Sequence, residues 1–474
     1  MADIAYVCLS DMHLGEEDSV LTNLKQGSSD IDTRQPSAVL RQLVKCLKFL
    51  ISRNPENMKP RLILNGDILE LALCTTGEAA AAFDRFIELV MKKGSELFDN
   101  RIIYIPGNHD HHLWETASET QYVSYIRNSK KKHVDDPWHV TNMFVDKTPR
   151  PVESTLLTAL VQRRFPEVVI EVAYPNFGLL NQDGSRCVAF HHGHFIDPLY
   201  RLITTLRTLA FANRREPSTI WGIEAENFAW IDFFWSMLGR SGGAGRDIEL
   251  VYEKMQDPEQ FKAFLYDLID NLARKYDLPG WDPGTKWTLK RMADLLLAKR
   301  AVILERRDVT CPLSPKIEEG LKWYVNGCLR EQILGERTGN MPSQVTFAFG
   351  HTHKPFAQDL QTGQTPQWID VYNTGGWVVE STDPYPLHGG AVLLVDRALN
   401  STLVRMYNET EDPASSVVKV EESFHTGEAE NPFYKQIAAL VNPVAEPWST
   451  FSSLVSQDIE VRRQNLHRRI HDKG

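Results

Sequence analysis

The constraint that narrows the fold most is a pattern repeated five times: a short apolar run that stops at a cluster of Asp, Asn or His. The runs are "IAYVCLSDMH" (4–13), "RLILNGD" (61–67), "RIIYIPGNHD" (101–110), "CVAFHHGH" (187–194) and "VTFAFGHTH" (345–353). Each has the length and the β-branched or aromatic content of a buried strand. Helical patterns separate the first three: residues 38–50 place Val39, Leu43, Val44, Leu47 and Leu50 at helical spacing, and 79–98 do much the same. Strands alternating with helices predict an α/β layered fold. In such folds ligand sites gather beyond the carboxyl ends of the strands, where all five polar clusters fall.

The fifth run follows the fourth only after a long gap. Within it, 199–210, 261–272, 287–304 and 317–334 carry helical apolar stripes, and "GRSGGAGRD" (239–247) reads as a joint. The expected organisation is an α/β core from 1–196 and 341–430, an all-helical insertion over 197–340, and a basic, solvated C-terminal tail over 431–474. Residues 366–407 are expected to add strands that close the sheet. The insertion holds six of the eleven tryptophans (221, 230, 235, 281, 287 and 323), and 228–238 is nearly all apolar. That composition suits a bundle core, a contact between copies in a homo-oligomer, or an apolar cap over the site that accepts a lipid or nucleobase or lies on a membrane surface.

Bulk properties exclude several classes. The formal net charge of −10 gives no general attraction to nucleic acid. Six scattered cysteines without a C-x-x-C pair argue against a disulfide framework and a thiolate zinc site. No apolar run is long enough for a transmembrane segment, and the N-terminal residues lack the basic region of a signal peptide. A cytoplasmic location is the simplest expectation.

The strand-end residues are Asp11, His13, Asp67, Asn108, His109, Asp110, His191, His192, His194, His351 and His353. Carboxylate, imidazole and amide oxygen without thiolate suit borderline divalent metals such as Mn, Fe, Ni, Co or Zn. In an extended strand residues i and i+2 share a side, so Asp11 with His13, and His351 with His353, form two pincers if that geometry persists. Asp67 is the candidate carboxylate between two metals. Gly66, Gly107, Gly193 and Gly350 would let the backbone approach closely. His111, His112 and Trp114 either line a pocket or belong to a solvated loop. Asp197 is either a helix N-cap or a site residue.

In this order, "SDMHLG", "NGDILE", "PGNHDHH", "FHHGHFID" and "GHTHKP", with "NTGGW" at 373–377, resemble the calcineurin-like metallophosphoesterase superfamily. The resemblance covers roughly 1–195 and 340–400 and leaves out the insertion. It implies a layered β-sandwich flanked by helices, and two divalent metal ions, with manganese the first expectation. One metal would be held by Asp11, His13 and His353, the other by Asn108, His192 and His351, with Asp67 bridging. A hydroxide bridging the metals would attack phosphorus, His109 would assist the leaving oxygen, and Asp110 would orient His109. The family's ligand directly precedes the glycine of the fourth block, which selects His192 over His191. His194 and His112 are then candidate substrate contacts.

The resemblance implies hydrolysis of a phosphate monoester, diester or pyrophosphate in a phosphorylated small molecule or lipid-like substrate. The "SDMHLG" and "GHTHKP" forms are similar to those of UDP-2,3-diacylglucosamine pyrophosphatases, although this chain is far longer. A nuclease or cyclic-nucleotide phosphodiesterase is the second enzymatic option. A non-catalytic protein-binding scaffold on the same fold is the option of another class.

Overall fold

The computed structural model describes residues 2–144, 152–210, 213–232, 236, 262–263, 266, 290, 311–410, 416–424 and 431–471. In chain order the elements are β1 (Ile4–Leu9), α1 (Ala38–Ile51), β2 (Arg61–Asn65), α2 (Thr76–Val90), β3 (Arg101–Ile105), α3 (His112–Asn128), β4 (Val152–Glu153), α4 (Thr155–Gln162), β5 (Val169–Val172), β6 (Asn176–Leu180) and β7 (Arg186–His191). There follow α5 (Leu202–Ala210), α6 (Ile220–Ile231), α7 (Pro315–Tyr324), α8 (Arg330–Glu336), β8 (Gln344–Phe349), β9 (Phe356–Gln361), β10 (Trp368–Asn373), β11 (Ala391–Asp396), β12 (Ser401–Arg405), β13 (Lys419–Glu421), α9 (Pro432–Leu440) and α10 (Trp448–His471).

The strands make two sheets, one ordered β13-β12-β11-β1-β2-β3-β5-β4 and one ordered β6-β7-β8-β10-β9. The centre of each is parallel: β1 with β2, β2 with β3, and β7 with β8. All five predicted runs are strands, and each sits where its carboxyl end opens on the same edge of the sandwich. Residues 366–407 supply β10, β11 and β12, as expected. Helix α2 ends at Val90, short of the expected stretch to 98, because "KKGS" follows and Gly94 takes a left-handed turn (φ +78°).

Three apolar layers hold this arrangement. Cys8, Ile63, Ile103, Val188, Phe190, Ala348 and Leu393 interdigitate between the sheets. Leu43, Leu47, Phe83 and Phe86 pack α1 and α2 on the outer face of the larger sheet. On the outer face of the smaller sheet Ile317, Leu321, Tyr324 and Ile333 of α7 and α8 pack with Cys187, Phe347 and Val371. The helical segment after residue 196 therefore shares a core with the smaller sheet. The elements described in it are helices, joined by irregular stretches at 213–219 and 311–314, while the stripes at 261–272 and 287–304, the joint at 239–247 and Trp235, Trp281 and Trp287 lie outside the described residues, apart from isolated positions.

The expectation of a solvated tail is corrected. Residues 432–440 and 448–471 are helices, and Trp448, Phe451, Val455 and Ile459 of α10 are buried in the main core beside α1. Arg462, read from sequence as one of a basic run, is fully buried and donates to the carbonyls of Glu17 and Thr22 and to Asp458. A guanidinium with five donors can satisfy three acceptors at once, so its charge did not signal exposure. Among the described residues no helix is long and apolar enough to cross a membrane.

Candidate metal centre

The site forms because three of the five ligand-bearing turns, those of the first, second and fifth blocks, leave their strands in unusual backbone geometry. Asp11, His13, Asp67, His351 and His353 all have positive φ, between +43° and +67°. Left-handed backbone costs a non-glycine residue of the order of 1 kcal/mol, and such residues gather where function over-determines them. The pincers predicted from extended strands are thus made by tight turns beyond the strand ends, β1 stopping at Leu9 and β8 at Phe349. The right residues converge, by another route.

Backbone hydrogen bonds fix these turns to one another. Asp11 N donates to Gly66 O (2.9 Å), His13 N to Asp67 O (2.9 Å), Gly350 N to His192 O (2.8 Å) and Trp377 N to Asp11 O (3.0 Å). Side chains add to the lattice: His351 N donates to Asp11 Oδ1 (2.9 Å) and His109 N to Asp67 Oδ1 (2.8 Å). The approach is too close for a side chain at two glycines. A Cβ on Gly350 would lie 1.9 Å from Asp11 Oδ2, and one on Gly107 would lie 2.3 Å from Asp67 Oδ1.

Among the described residues four groups of side chains could hold a metal ion, and two of them consist of predicted ligands. Asp11, His13 and His353 bring one ligand atom each within 4.8 Å of one another, and so do Asp67, His192 and His351. Asp67 Oδ2 lies between the groups, 3.1 Å from His192 Nε2 and 3.9 Å from His13 Nε2. Asn108 Oδ1 is 3.0 Å from His192 Nε2. All are buried. Asp11 Oδ2 and His13 Nε2 make no hydrogen bond among the described residues. Buried polar atoms left so are costly, and a cation between them would satisfy both. The donor set and these atoms fit divalent metal ions.

The electrostatics agree. Burial resists ionisation of Asp67, yet the charges of His192 and His109 hold its carboxyl well below the usual range. Burial likewise pushes His192 down, but Asp67 and Asp11 outweigh it and bring its imidazole to about 9. A proton there stands where a cation would otherwise stand.

Each histidine of the first group is backed by a carboxylate at Nδ1, which leaves Nε2 to face the site. Glu70 Oε2 lies 2.8 Å from His13 Nδ1, and Glu380 Oε1 lies 3.1 Å from His353 Nδ1. The same Glu70 oxygen is 2.8 Å from His109 Nδ1, while its other oxygen accepts from the backbone N–H of Ala72 and Leu73. Burial would raise Glu70, but the charge of His109 and hydrogen bonds from both histidines lower its carboxyl to about 2. Sequence reasoning missed Glu70 and Glu380. The only signal for Glu70 was its place three residues after Asp67 in "NGDILE".

The expected partner of His109 is thereby corrected. The carboxylate on His109 Nδ1 is that of Glu70. Asp110 instead accepts from the backbone N–H groups of Asp67, Ile68, Leu69 and Gly107, and so ties the second block to the third. Burial, with the charge of Asp67 beside it, lifts Asp110 to about 6.

His192 faces Asp67 and Asn108, whereas the adjacent His191 points among Tyr324, Phe347 and Phe195. His194 is fully buried, stacked on Tyr174, with Nε2 3.3 Å from Tyr174 Oη. His112 lies apart from the metal ligands, 3.2 Å from Glu115 and 3.5 Å from Asp232. Trp114 is neither pocket nor solvated loop. It opens α3 and stacks on Tyr174 in the core. Asp197 combines both roles considered for it, accepting from Leu199 N as a cap and placing Oδ2 3.5 Å from His351 Nε2.

A search of curated proteins gave no match to the chain. Residues 4–217, which hold four of the five blocks, match the sequence model of the calcineurin-like phosphoesterases. The mixed α/β sandwich with two groups of the predicted ligands at one edge is the architecture that match implies, and over these residues the chain is similar to the calcineurin-like phosphoesterases.

Proposed function

We propose that the protein is a dinuclear metal-dependent phosphoesterase. The observation that carries this reading is Asp67, whose Oδ2 sits between two groups of buried ligand atoms. Asp11, His13 and His353 would hold one ion, Asn108, His192 and His351 the other, and Asp67 both. Two such ions supply Lewis-acid activation of water and neutralise charge on a phosphate.

The chain's own residues do the rest. Glu70 holds His109 from Nδ1, which assigns the chemistry to Nε2. The nearby carboxylate favours the protonated ring, so His109 delivers its proton, or its positive charge, to the departing oxygen of the ester. Asp110 keeps the loops carrying Asp67 and His109 in register through four backbone N–H groups. The family acts on phosphate esters, and the substrate we expect is a phosphorylated small molecule or lipid-like compound, with the insertion beside the site to select it.

The test is to strip the protein of metal, reload it separately with Mn, Ni, Zn or Mg, and assay an aryl phosphate monoester beside an aryl phosphodiester. Metal-dependent turnover, lost or sharply reduced in His109→Ala, is the expected result. Turnover that survives in the variant would remove His109 from the reaction. Absence of both bound metal and turnover in the wild type would return the chain to a non-catalytic scaffold.

A further inference from the structure

His111 follows the catalytic block directly, is fully buried, and faces a carboxylate at each ring nitrogen. Its Nε2 lies 2.9 Å from Glu224 Oε1, and its Nδ1 lies 3.3 Å from Asp232 Oδ1. Both acids come from the insertion, Glu224 from α6 and Asp232 from the residue after it. Glu224 is itself fully buried, and its other oxygen accepts from Tyr174 Oη at 2.9 Å. One residue on, His112 N donates to Ser236 Oγ at 2.9 Å. The aromatic edge of His111 also rests on Phe228 of α6, with ring centroids 5.1 Å apart.

A neutral imidazole has one N–H, so two facing carboxylates require the doubly protonated ring. Burying such a triad rarely adds stability over an apolar packing of the same volume, but breaking it leaves an uncompensated charge. The triad therefore acts on position more than on stability. Two residues earlier, the same strand-to-helix turn carries His109, and Asp110 between them binds the backbone of the Asp67 loop. The insertion also touches the opposite side of the site, where the Tyr200 ring packs edge-on against His351 at 5.0 Å. It thus contacts the turn after the third block and the fifth block itself, on two sides of the metal ligands.

We propose that His111 is a positioning residue, through which Glu224 and Asp232 of the insertion set the catalytic loop carrying His109. This rests on the phosphoesterase reading for its kinetic consequence, though not for its structural one. The experiment uses the full chain loaded with manganese, as wild type, His111→Gln, Glu224→Gln and the double variant. Amide hydrogen exchange is followed over 106–112 and 220–231, and kcat and KM are measured on an aryl phosphate.

The expected result for Glu224→Gln is faster exchange in both segments, with kcat reduced about tenfold and KM changed less than about threefold. The double variant should be no worse than the worse single variant, as for residues acting as one unit. Faster exchange confined to 220–231 with kcat within about twofold of wild type would overturn the proposal, leaving a purely structural contact. Additive effects in the double variant would also overturn it. If wild type hydrolyses no ester, the phosphoesterase reading fails separately, and the exchange at 106–112 still decides whether the insertion sets that loop.

Discussion

Glu70 Oε2 lies 2.8 Å from Nδ1 of His109, and the same oxygen holds His13 at the same distance. One buried carboxylate thus orients both a candidate metal ligand and the candidate general acid. Replacing Glu70 with Gln keeps the shape but removes the charge. The expected outcome is a loss of about 10- to 100-fold in metal affinity or kcat, with the limb of the pH–rate profile that reports His109 moved to lower pH, since the carboxylate that favoured the imidazolium is gone. Titration of manganese and kcat against pH check both parts.

Metal binding should be coupled to proton release. His192 is raised to about 9 by Asp67 and Asp11 in the metal-free protein, so it carries a proton near neutrality that a cation must displace. Affinity is expected to rise with pH up to about 9 and to level off above it. Calorimetry of manganese binding in buffers of different ionisation enthalpy should show about one proton released per chain at pH 7, on filling the site that holds His192. Proton-neutral binding would contradict the assignment of His192.

Gly350 is where the fifth block comes closest to the first, and a Cβ there would meet Asp11 Oδ2. Gly350→Ala is expected to cost about 1–3 kcal/mol through overpacking, and to lower metal content by displacing Asp11. A melting curve and elemental analysis on the same sample would separate the two effects. Unchanged metal content with an unchanged melting temperature would show that the turn has room to relax.

How much of this was legible in sequence depends on what each residue does. The ligands were legible because each is locked into a short block at a strand end, where chemistry dictates both residue type and spacing. The reason first given for their convergence was incomplete, since extended backbone does not persist and Asp11, His13, His351 and His353 turn through left-handed conformations. Glu70 and Glu380 escaped because a carboxylate behind a histidine can come from any element that passes near it. Glu224 lies far from His111 in sequence, so nothing local linked them. The C-terminal helix was misread for a different reason: its arginines outweighed a clear apolar stripe of Trp448, Phe451, Val455 and Ile459.

That helix gives a prediction of its own. Arg462 donates to the carbonyls of Glu17 and Thr22, which flank the loop following His13. Arg462→Ala leaves these carbonyls and Asp458 without their donor, and should destabilise the protein by about 3 kcal/mol. Thermal unfolding measures the loss. Limited proteolysis should then cut within 14–24 first; cleavage elsewhere, with no change in stability, would show that the loop is held without the helix.

The central claim is that two metal ions share Asp67. The most direct measurement is electron paramagnetic resonance of the stripped protein as it is titrated with manganese, in wild type and in Asp67→Asn. The account predicts about two bound ions per wild-type chain with the spectrum of an exchange-coupled pair, and loss of that coupling in the variant. A spectrum of isolated ions in the wild type, or a coupled pair that survives loss of the Asp67 carboxylate, would contradict it.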